Sequence, residues 1–339
     1  MTTIKDIAKV TGVSCTTVSN VIHGKAGRVS AETIEKIEKA IEELSYVPNM
    51  TARSLVSNSS KVIGMINHIV TPSNIMEDPF QSYFTGAIEQ TLRENGYYLM
   101  LRTVETSEEL LAFLRNWKVD GLFFTGIFKD QFFDVLSTLT IPIVLIDSYV
   151  HHPNFCNVGL DDFKGSYTAT KYLISHGHRR IAFASPSIRD GGVLQERFYG
   201  YKAALIESAI PFDNHLVLEY EMDIASCMTL SSELIKIPDV TGLVATADVM
   251  AAGIISGLRQ KGVHVPDDIS VVGFDDISLC RMITPTLTTI HQDIHLKGKL
   301  AVDFMLQRLE GKIPEKSEII LPTYLVERES VASLPVTST

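Results

Sequence analysis

A run of short polar side chains near the amino terminus has the composition of a hydrogen-bonding surface. Residues 14–20 read Ser-Cys-Thr-Thr-Val-Ser-Asn and stand between apolar residues that recur at helical spacing. An exposed helix that serves only stability favours Ala, Glu, Lys and Leu, and this run contains none of them. Its small hydroxyl and amide groups suit close approach to phosphate oxygens and base edges. The run therefore predicts a nucleic-acid contact, although the helical spacing alone fits a purely structural helical hairpin equally well.

Three short helices are predicted to position this run. Thr3 and Asp6 form a weak capping box at the start of the first helix, and Gly12 ends that helix because it can adopt a positive φ. Ser14 caps the second helix, and a third helix begins at Ser30. Two helices joined by a glycine turn form a helix-turn-helix, whose second helix enters the DNA major groove with its amino terminus first.

Beyond residue 60, apolar runs alternate with amphipathic helical stretches. Continuous apolar strands between such helices are typical of parallel sheets that are covered on both faces. Two segments recur, which predicts two duplicated lobes rather than one large sheet: Val119-Asp-Gly-Leu122 returns as Val240-Thr-Gly-Leu243, and 141–147 returns as 265–275. The apolar runs are 62–66, 97–101, 121–124, 143–146, 181–184, 242–245 and 271–274.

Aspartates follow several of the predicted strands. In open α/β sheets, ligands collect beyond the carboxyl ends of the strands, so Asp147 and Asp275 are predicted to face a cleft between the lobes. For Asp147, capping of the next helix is an equally good interpretation. Asp161 and Asp248 are weaker candidates of the same kind. These carboxylates predict a binding site for a small polar ligand.

The distribution of charge and cysteine narrows the class of protein. The net charge is −10, but residues 1–60 carry seven Lys or Arg against six Asp or Glu, so the acidic charge lies in the rest of the chain. An acidic body with a mildly basic end fits a protein that meets phosphate only at that end. The four cysteines are widely spaced and form no CxxC pair, which predicts reduced thiols without a disulfide framework or metal site.

Targeting and catalytic motifs are not found in the sequence. The amino terminus lacks the basic stretch and apolar run of a secretory signal, and no apolar segment approaches the roughly 18 residues of a membrane span. GxGxxG after a strand, a phosphate-binding P-loop, HExxH and GxSxG are all missing. The sequence therefore predicts a cytoplasmic protein that is not an enzyme, with no catalytic residue, cofactor, metal or membrane partner.

Three segments near the amino terminus form a distinctive pattern. They are Ile4-Lys-Asp-Ile-Ala-Lys-Val-Thr-Gly-Val-Ser14, Thr17-Val-Ser-Asn-Val-Ile22 and Tyr46-Val-Pro-Asn-Met-Thr-Ala-Arg-Ser-Leu55. This pattern resembles the head and hinge of the lactose-repressor (LacI/GalR) family of transcription regulators. The resemblance is dense over residues 3–57 and continues more loosely to about residue 332, so it covers nearly the whole chain. It implies a helical DNA-binding head joined by a hinge helix to a two-lobed core like that of periplasmic sugar-binding proteins.

The resemblance implies ten DNA-contacting residues. In the family, residues at the positions of Cys15, Thr16 and Asn20 read bases, and Leu55 matches a leucine that enters the minor groove and kinks the duplex. A thiol is a poor hydrogen-bond donor, so Cys15 leaves the half-site sequence open. The hinge segment 50–57 is too short to hold a helix alone and fits an order–disorder switch, although by itself it also fits a plain linker. The other implied contacts are Thr3, Ser14, Thr17, Ser19 and Asn49 to phosphate, and Ala52 to the minor groove.

The resemblance also implies an effector site between the lobes. Arg197 matches an arginine that holds effectors in the family, and a guanidinium beside carboxylates can hold the vicinal hydroxyls of a sugar. The turn 273–277 matches an effector-contacting turn, which favours ligand binding over capping for Asp275. Phe80 fits equally well as a ring that stacks on a sugar and as packing in the first turn of a helix.

These observations predict an α/β protein with an all-α head and a two-lobed core of parallel sheets. The expected function is that of a homodimeric transcription regulator, expected to be a repressor, that binds a pseudopalindromic double-stranded operator under the control of a small carbohydrate effector. The expected divisions are a head at 1–46, a hinge and linker at 47–60, and an effector-binding and dimerisation core at 61–339, with lobe 1 at 61–160 and 291–322 and lobe 2 at 161–290 and 323–332.

Two other functions fit parts of the sequence. A regulator that depends on a co-repressor, either a nucleobase or a phosphocarrier protein, would share the same head and core. A solute receptor without a DNA role would share the two lobes, but it needs a signal peptide and no helix-turn-helix. The sequence shows the reverse on both counts, which favours the regulator.

Overall fold

The computed structural model describes residues 2–22, 27, 29–46, 59–69 and 75–335. The chain divides into two compact units, 1–60 and 61–339. Three of the predicted DNA contacts, Asn49, Ala52 and Leu55, lie outside the described residues, as does the predicted hinge segment 50–57.

The amino-terminal unit is a small three-helix structure. Its helices are α1 (Ile4–Thr11), α2 (Cys15–Ile22) and α3 (Ala31–Glu43). Ile7, Val18 and Ile37 contribute one fully buried side chain from each helix to a common apolar core. Gly12 ends α1 with a φ of 73°, and its N–H donates to the carbonyl oxygen of Ala8. The head therefore has the predicted pair of helices joined by a glycine turn.

The second unit contains two six-stranded sheets. The strands of sheet 1 are β1 (Val62–His68), β2 (Tyr98–Val104), β3 (Gly121–Thr125), β4 (Ile143–Ile146), β5 (Phe155–Leu160) and β11 (Glu318–Leu321). Their order is β11-β5-β4-β3-β1-β2, and every neighbouring pair is parallel. All four residues of β4 and all six of β5 are buried, because helices cover both faces of a parallel sheet.

Sheet 2 repeats this arrangement. Its strands are β6 (Ile181–Ser185), β7 (Val217–Glu219), β8 (Gly242–Ala245), β9 (Ser270–Asp275), β10 (Thr288–His291) and β12 (Tyr324–Val326). Their order is β12-β10-β9-β8-β6-β7, and only the edge strand β12 is antiparallel to its neighbour. The repeated sequence segments occupy equivalent places, since β3 and β8 are each fourth in their sheet and β4 and β9 are each third.

Eight α-helices flank the sheets within residues 75–335. They are α4 (Pro79–Glu94), α5 (Ser107–Asn116), α6 (Gln131–Ser137), α7 (Asp162–Ser175), α8 (Val193–Glu207), α9 (Ile224–Leu234), α10 (Asp248–Gln260) and α11 (Ile294–Leu309). Helix α11 packs on α4, β4 and β5, whereas α7 packs on α8 and β9. None of the helices in the described ranges is long and apolar enough to cross a membrane.

The core therefore has two lobes, as predicted. Lobe 1 is sheet 1 with α4 to α6 and α11, and lobe 2 is sheet 2 with α7 to α10. The chain passes between the lobes after β5, after β10 and between β11 and β12. These three crossovers bring the carboxyl ends of the central strands of both sheets to one cleft, which is where a ligand of an α/β sheet is expected.

Candidate functional site

The amino-terminal turn of α2 presents small polar side chains to solvent. Ser14 lies just before the helix, and its Oγ accepts a hydrogen bond of 3.1 Å from the backbone N–H of Thr17. Cys15 and Thr16 occupy the first two helical positions and are exposed. Val18 is buried in the head core, which fixes the face of α2 that is turned outward. The other predicted contacts on α2, which are Thr17, Ser19 and Asn20, are half-buried.

The electrostatics of the head favour an anion at the start of α2. No acidic side chain lies in its first turn, so the partial positive charge of the helix amino terminus is not neutralised there. Thr3, at the start of α1, is also exposed. The Asp6 carboxylate accepts hydrogen bonds from the Thr3 hydroxyl at 2.7 Å and the Thr3 N–H at 2.8 Å, and these bonds lower the pKa of Asp6. The Asp6 carboxylate is thus held in the cap of α1.

A cavity of about 290 Å³ lies between the lobes. Residues at the carboxyl ends of strands in both sheets line it, together with residues at the amino ends of α4 and α8. Four of the six residues predicted to bind an effector lie on its wall: Phe80, Asp147, Arg197 and Asp275. The fold therefore brings together side chains that are up to 195 positions apart in the sequence.

Arg197 is held by three contacts on the lobe 2 side of the cavity. Its Nε donates to Asp162 Oδ1 at 2.8 Å, and its Nη1 donates to the carbonyl oxygen of Thr246. The guanidinium carbon lies 3.6 Å from the centre of the Phe274 ring, in a cation–π contact. Burial raises the pKa of Asp162, and the positive charge of Arg197 opposes that rise. Asp162 also accepts a hydrogen bond of 2.9 Å from the Tyr149 hydroxyl.

Asp275 lies in a strained turn that is tied to the crossovers. It has a φ of 121° and Asp276 a φ of 59°, so two consecutive non-glycine residues have positive φ. Gln292, just after β10, donates to the Asp275 carboxylate, and Arg328, just after β12, pairs with Asp276. His291 Nδ1 lies 2.9 Å from the Asp276 carboxylate. Burial raises the pKa of Asp275 well above its ordinary value, while Arg197 opposes that effect.

Asp147 and Phe80 share a buried lysine on the lobe 1 side. Lys297 is fully buried, and its Nζ lies 2.8 Å from both carboxylate oxygens of Asp147. The same Nζ lies 5.4 Å from the centre of the Phe80 ring. Asp147 caps no described helix, and its carboxylate is instead held by the ion pair with Lys297. Phe80 packs in the first turn of α4, with its ring parallel to that of Phe84. It also lines the cavity, where its stacking on a sugar stays a prediction.

Asp161 and Asp248, which are predicted to bind an effector, are not among the described residues that line the cavity. Asp161 Oδ1 accepts a hydrogen bond of 3.0 Å from the backbone N–H of Lys164 and so caps α7. Asp248 is fully buried and accepts hydrogen bonds from the Thr289 hydroxyl and from the Ile277 N–H. Burial raises the pKa of Asp248 to about 6. Both carboxylates therefore hold local structure, and neither belongs to the wall of the cleft.

Sequence reasoning missed several polar groups of the cleft. Gln81 and Thr246 line the cavity, and Gln81 Oε1 and Thr246 Oγ1 are buried atoms without a hydrogen-bond partner among the described residues. Buried polar atoms are normally satisfied, so these two are ready to bond to a ligand. Gln81 follows Phe80 at the start of α4, and Thr246 directly follows the apolar strand β8. The position after a buried strand was the available signal for Thr246, and nothing in the sequence marks Gln81 or Lys297.

Comparison with known proteins assigns the chain to a family. The family model for bacterial regulatory proteins of the lacI family matches residues 3–49, and the model for a periplasmic binding protein-like domain matches residues 170–331. The HTH-type transcriptional repressor PurR of Vibrio atlanticus (strain LGP32) is 35% identical over 341 residues, which span 98% of this chain and all of that protein. The chain belongs to the LacI family.

Solved structures of LacI-family proteins have the same fold. The Lac repressor dimer bound to operator and the anti-inducer ONPF is 28% identical, with a TM-score of 0.84 and coverage of 98% of this chain and 99% of that one. A LacI-family regulator from Enterococcus faecium with bound ribose is 28% identical, with a TM-score of 0.71 and coverage of 81% of this chain and all of that one. This LacI-family chain thus combines a helical head with a two-lobed core, and one candidate site lies in each.

Proposed function

We propose that this protein is a transcriptional repressor whose affinity for operator DNA is controlled by a small carbohydrate in the cavity between its lobes. The observation that carries the proposal is the capped and exposed amino terminus of α2, in a chain that is similar to a repressor over 98% of its length. Two copies of the head bind a pseudopalindromic operator, as suits a helix-turn-helix dimer. The similar Lac repressor structure is a dimer bound to operator.

The amino-terminal face of α2 is proposed to lie in the major groove. Cys15, Thr16 and Asn20 would then face bases, with Cys15 in van der Waals contact because a thiol donates poorly. Leu55 and Ala52 would contact the minor groove. The phosphate contacts would be Thr3, Ser14, Thr17, Ser19 and Asn49. In this arrangement the uncompensated helix amino terminus adds to phosphate attraction.

The wall of the cavity supports a polyhydroxylated effector. Asp147 and Asp275 offer acceptors for hydroxyl groups, and Arg197 offers donors. The Phe80 ring offers an apolar face of the kind on which a sugar ring stacks. A similar LacI-family regulator from Enterococcus faecium has bound ribose. The effector would change the preferred angle between the lobes, and a coupling of about 1–3 kcal/mol is enough to regulate operator affinity.

DNA binding can be tested with one substitution in the head and a matched one in the core. Thr16→Ala should weaken binding to the selected operator by about fivefold or more, because it removes a base-facing hydroxyl. Thr229→Ala removes an exposed threonine hydroxyl from α9 and should leave binding unchanged. Operator sequences would first be selected from random DNA, and affinities then measured by fluorescence anisotropy at fixed salt. Equal affinities of both variants and the wild type would contradict the placement of α2.

Effector binding can be tested by a thermal-shift screen of the full chain against sugars, sugar phosphates and nucleobases. A bound effector raises the melting temperature, because it binds only the folded core. Asp275→Asn should lose this shift and the effector response of DNA binding, while the variant still binds the operator. Asp267→Asn removes an exposed carboxylate of lobe 2 and should behave as the wild type. A nucleobase as the best ligand would favour the co-repressor alternative instead.

A further inference from the structure

A second cavity lies in lobe 1, under the loop that joins β4 to β5. It has a volume of about 300 Å³, which is at the lower limit of the roughly 300–1,000 Å³ that small-molecule sites occupy. Loop residues 150–153 and the strands β4, β5 and β11 contribute to its lining. None of the described residues that line it also lines the cavity between the lobes. This cavity is therefore a candidate site separate from the effector cleft.

Three neighbouring strands form the floor of the second cavity. Asn157 of β5 is in register with Leu145 of β4 and with Glu318 of β11, so the three side chains lie on one face of sheet 1. Asn157 Nδ2 donates a hydrogen bond of 3.1 Å to Glu318 Oε1 and one of 2.8 Å to the carbonyl oxygen of Ser148. These two bonds fix the orientation of the amide, so the Asn157 oxygen and the Glu318 carboxylate are acceptors on adjacent strands.

The two acceptors have unused capacity for hydrogen bonds and charge. Asn157 is 6% exposed, and its Oδ1 is buried with no hydrogen-bond partner among the described residues. Glu318 is half-buried, and no lysine, arginine or histidine of the described ranges forms an ion pair with it. Buried amide oxygens normally accept a hydrogen bond, so a bound donor is expected at this floor.

The surroundings of the second cavity supply aromatic rings. The ring centre of His152 lies 4.4 Å from that of Phe155 and 6.0 Å from that of Phe133 in α6. Arg308 of α11 donates to the carbonyl oxygen of Asn154, but neither it nor any other arginine or lysine is among the described residues that line the cavity. An anion would therefore meet no counter-charge on this lining, whereas a cation would meet a carboxylate and aromatic faces.

An organic cation fits the second cavity better than a metal ion. The part of the chain that the structure describes contains no group of three or more His, Cys, Asp or Glu side chains placed to hold a metal. A guanidinium or amidinium group is planar, carries its N–H donors in a fork that reaches two acceptors, and stacks on aromatic rings. These properties match the paired acceptors of the floor and the rings beside them.

The loop over the second cavity also reaches the effector cleft. Asp147, its first residue, lines the cavity between the lobes. The next residue, Ser148, accepts the hydrogen bond from Asn157. Tyr149 then donates a hydrogen bond of 2.9 Å to Asp162 at the start of α7 in lobe 2. Three consecutive loop residues therefore connect the cleft wall, the floor of the second cavity and the opposite lobe.

We propose that the second cavity is a regulatory site for a small organic cation with a planar guanidinium or amidinium head. The head donates to Asn157 Oδ1 and to the Glu318 carboxylate, and its flat face lies against Phe155. The bound cation holds the loop between β4 and β5, and it thereby changes the equilibrium between lobe arrangements. This regulatory effect rests on the proposed function, whereas binding of the cation does not.

Isothermal titration of the full chain tests the site with three probes of similar size and shape. Benzamidine carries a positive charge, benzamide is neutral and benzoate is negative. Benzamidine should bind about tenfold or more tightly than benzamide, because its hydrogen bonds to Glu318 are charge-assisted, and benzoate should not bind.

A matched pair of variants locates the cation. Glu318→Gln removes the charge but keeps an acceptor for Asn157, and it should weaken benzamidine binding about tenfold or more. Glu315→Gln makes the same change at an exposed position in the segment before β11 and should leave the affinity unchanged. Asp275→Asn, in the effector cleft, should also bind benzamidine as the wild type does.

Operator binding tests the regulatory effect. DNA selected from random sequence is titrated by fluorescence anisotropy at fixed ionic strength, with and without saturating benzamidine. The wild type should change its operator affinity about fivefold or more, and Glu318→Gln should not. A direct effect of benzamidine on DNA would appear equally with both proteins, so the difference between them isolates the site.

The outcomes separate the site from its regulatory effect and from the proposed function. Equal binding of benzamidine and benzamide, unchanged affinity in Glu318→Gln, or lost affinity in Asp275→Asn would each overturn the site. Benzamidine binding that leaves operator affinity unchanged would overturn the regulatory effect. If no operator can be selected, the proposed function fails, while the titrations still decide whether the second cavity binds the cation.

Discussion

Replacing Arg197 with methionine should destabilise the core strongly, because it leaves buried carboxylates without their counter-charge. Arg197 is 8% exposed, and its partner Asp162 is 1% exposed. Methionine keeps much of the apolar volume but loses the ion pair, the hydrogen bond to Thr246 and the contact with Phe274. Removal of one member of a buried pair costs about 3–5 kcal/mol of unfolding free energy.

The size of this loss should depend on pH. Without the guanidinium, the pKa values of Asp162 and Asp275 rise further, since burial is then less opposed. A carboxyl group whose pKa is raised in the folded state lowers stability as the pH rises from its unfolded pKa of about 4 to its folded pKa. The deficit of Arg197→Met relative to the wild type should therefore be larger at pH 8 than at pH 5.

Urea unfolding followed by far-ultraviolet circular dichroism measures the deficit at both pH values. The double variant Arg197→Met with Asp162→Leu provides the control, because it removes the unpaired charge and should recover part of the lost stability at pH 8. If the deficit were the same at both pH values, and the double variant were no more stable than Arg197→Met, the unpaired charge could not be its cause.

Three further predictions concern the head and the packing of lobe 2. Gly12→Ala should cost about 1–2 kcal/mol, since the φ of 73° is unfavourable for a residue with a Cβ, and native-state hydrogen exchange of α1 and α2 amides should accelerate accordingly. The wild type should lose core stability as the pH rises from about 4 to about 6, because the pKa of Asp248 is raised to about 6 in the folded state, and Asp248→Asn should reduce this loss. If urea unfolding gave the same dependence of stability on pH for both proteins, another group would have to be its cause. Gly200→Ala should lower the melting temperature markedly, because a Cβ there would lie 2.1 Å from the carbonyl oxygen of Phe163, whereas Gly86→Ala in α4 has open space and should not.

The parts of the fold that the sequence predicts are those with a strong local pattern. The capped helices of the head and the fully apolar strands, such as β4 and β8, follow from periodicity and burial. β10 was missed because it reads Thr-Thr-Ile-His, and its three buried residues include two threonines. β7 and β12 have three residues each at or near sheet edges, which is too short for a pattern. Their pairing depends on neighbouring strands that are distant in sequence.

In the candidate site too, the sequence predicts some residues and not others. Position after an apolar strand was enough to predict that Asp147 and Asp275 face the cleft, but the same rule fails for Asp161, which caps α7 instead. Lys297 could not be found, because a lysine beside Leu296 and Gly298 in an amphipathic helix is usually exposed. Its burial depends on the pairing of α11 with Asp147 across 150 positions of sequence.

The strained turn at Asp275 has a consequence for redesigning the protein as a sensor. Gln292 and Arg328, at two crossovers, hold the turn, so a substitution at Asp275 changes ligand affinity and the lobe equilibrium together. Two side-chain atoms on the wall of the same cavity, Gln81 Oε1 and Thr246 Oγ1, are buried and have no hydrogen-bond partner among the described residues. Ligand selectivity is therefore best changed at the side chains of Gln81 and Thr246, because substitutions there leave Asp275 and the contacts of its turn with Gln292 and Arg328 in place.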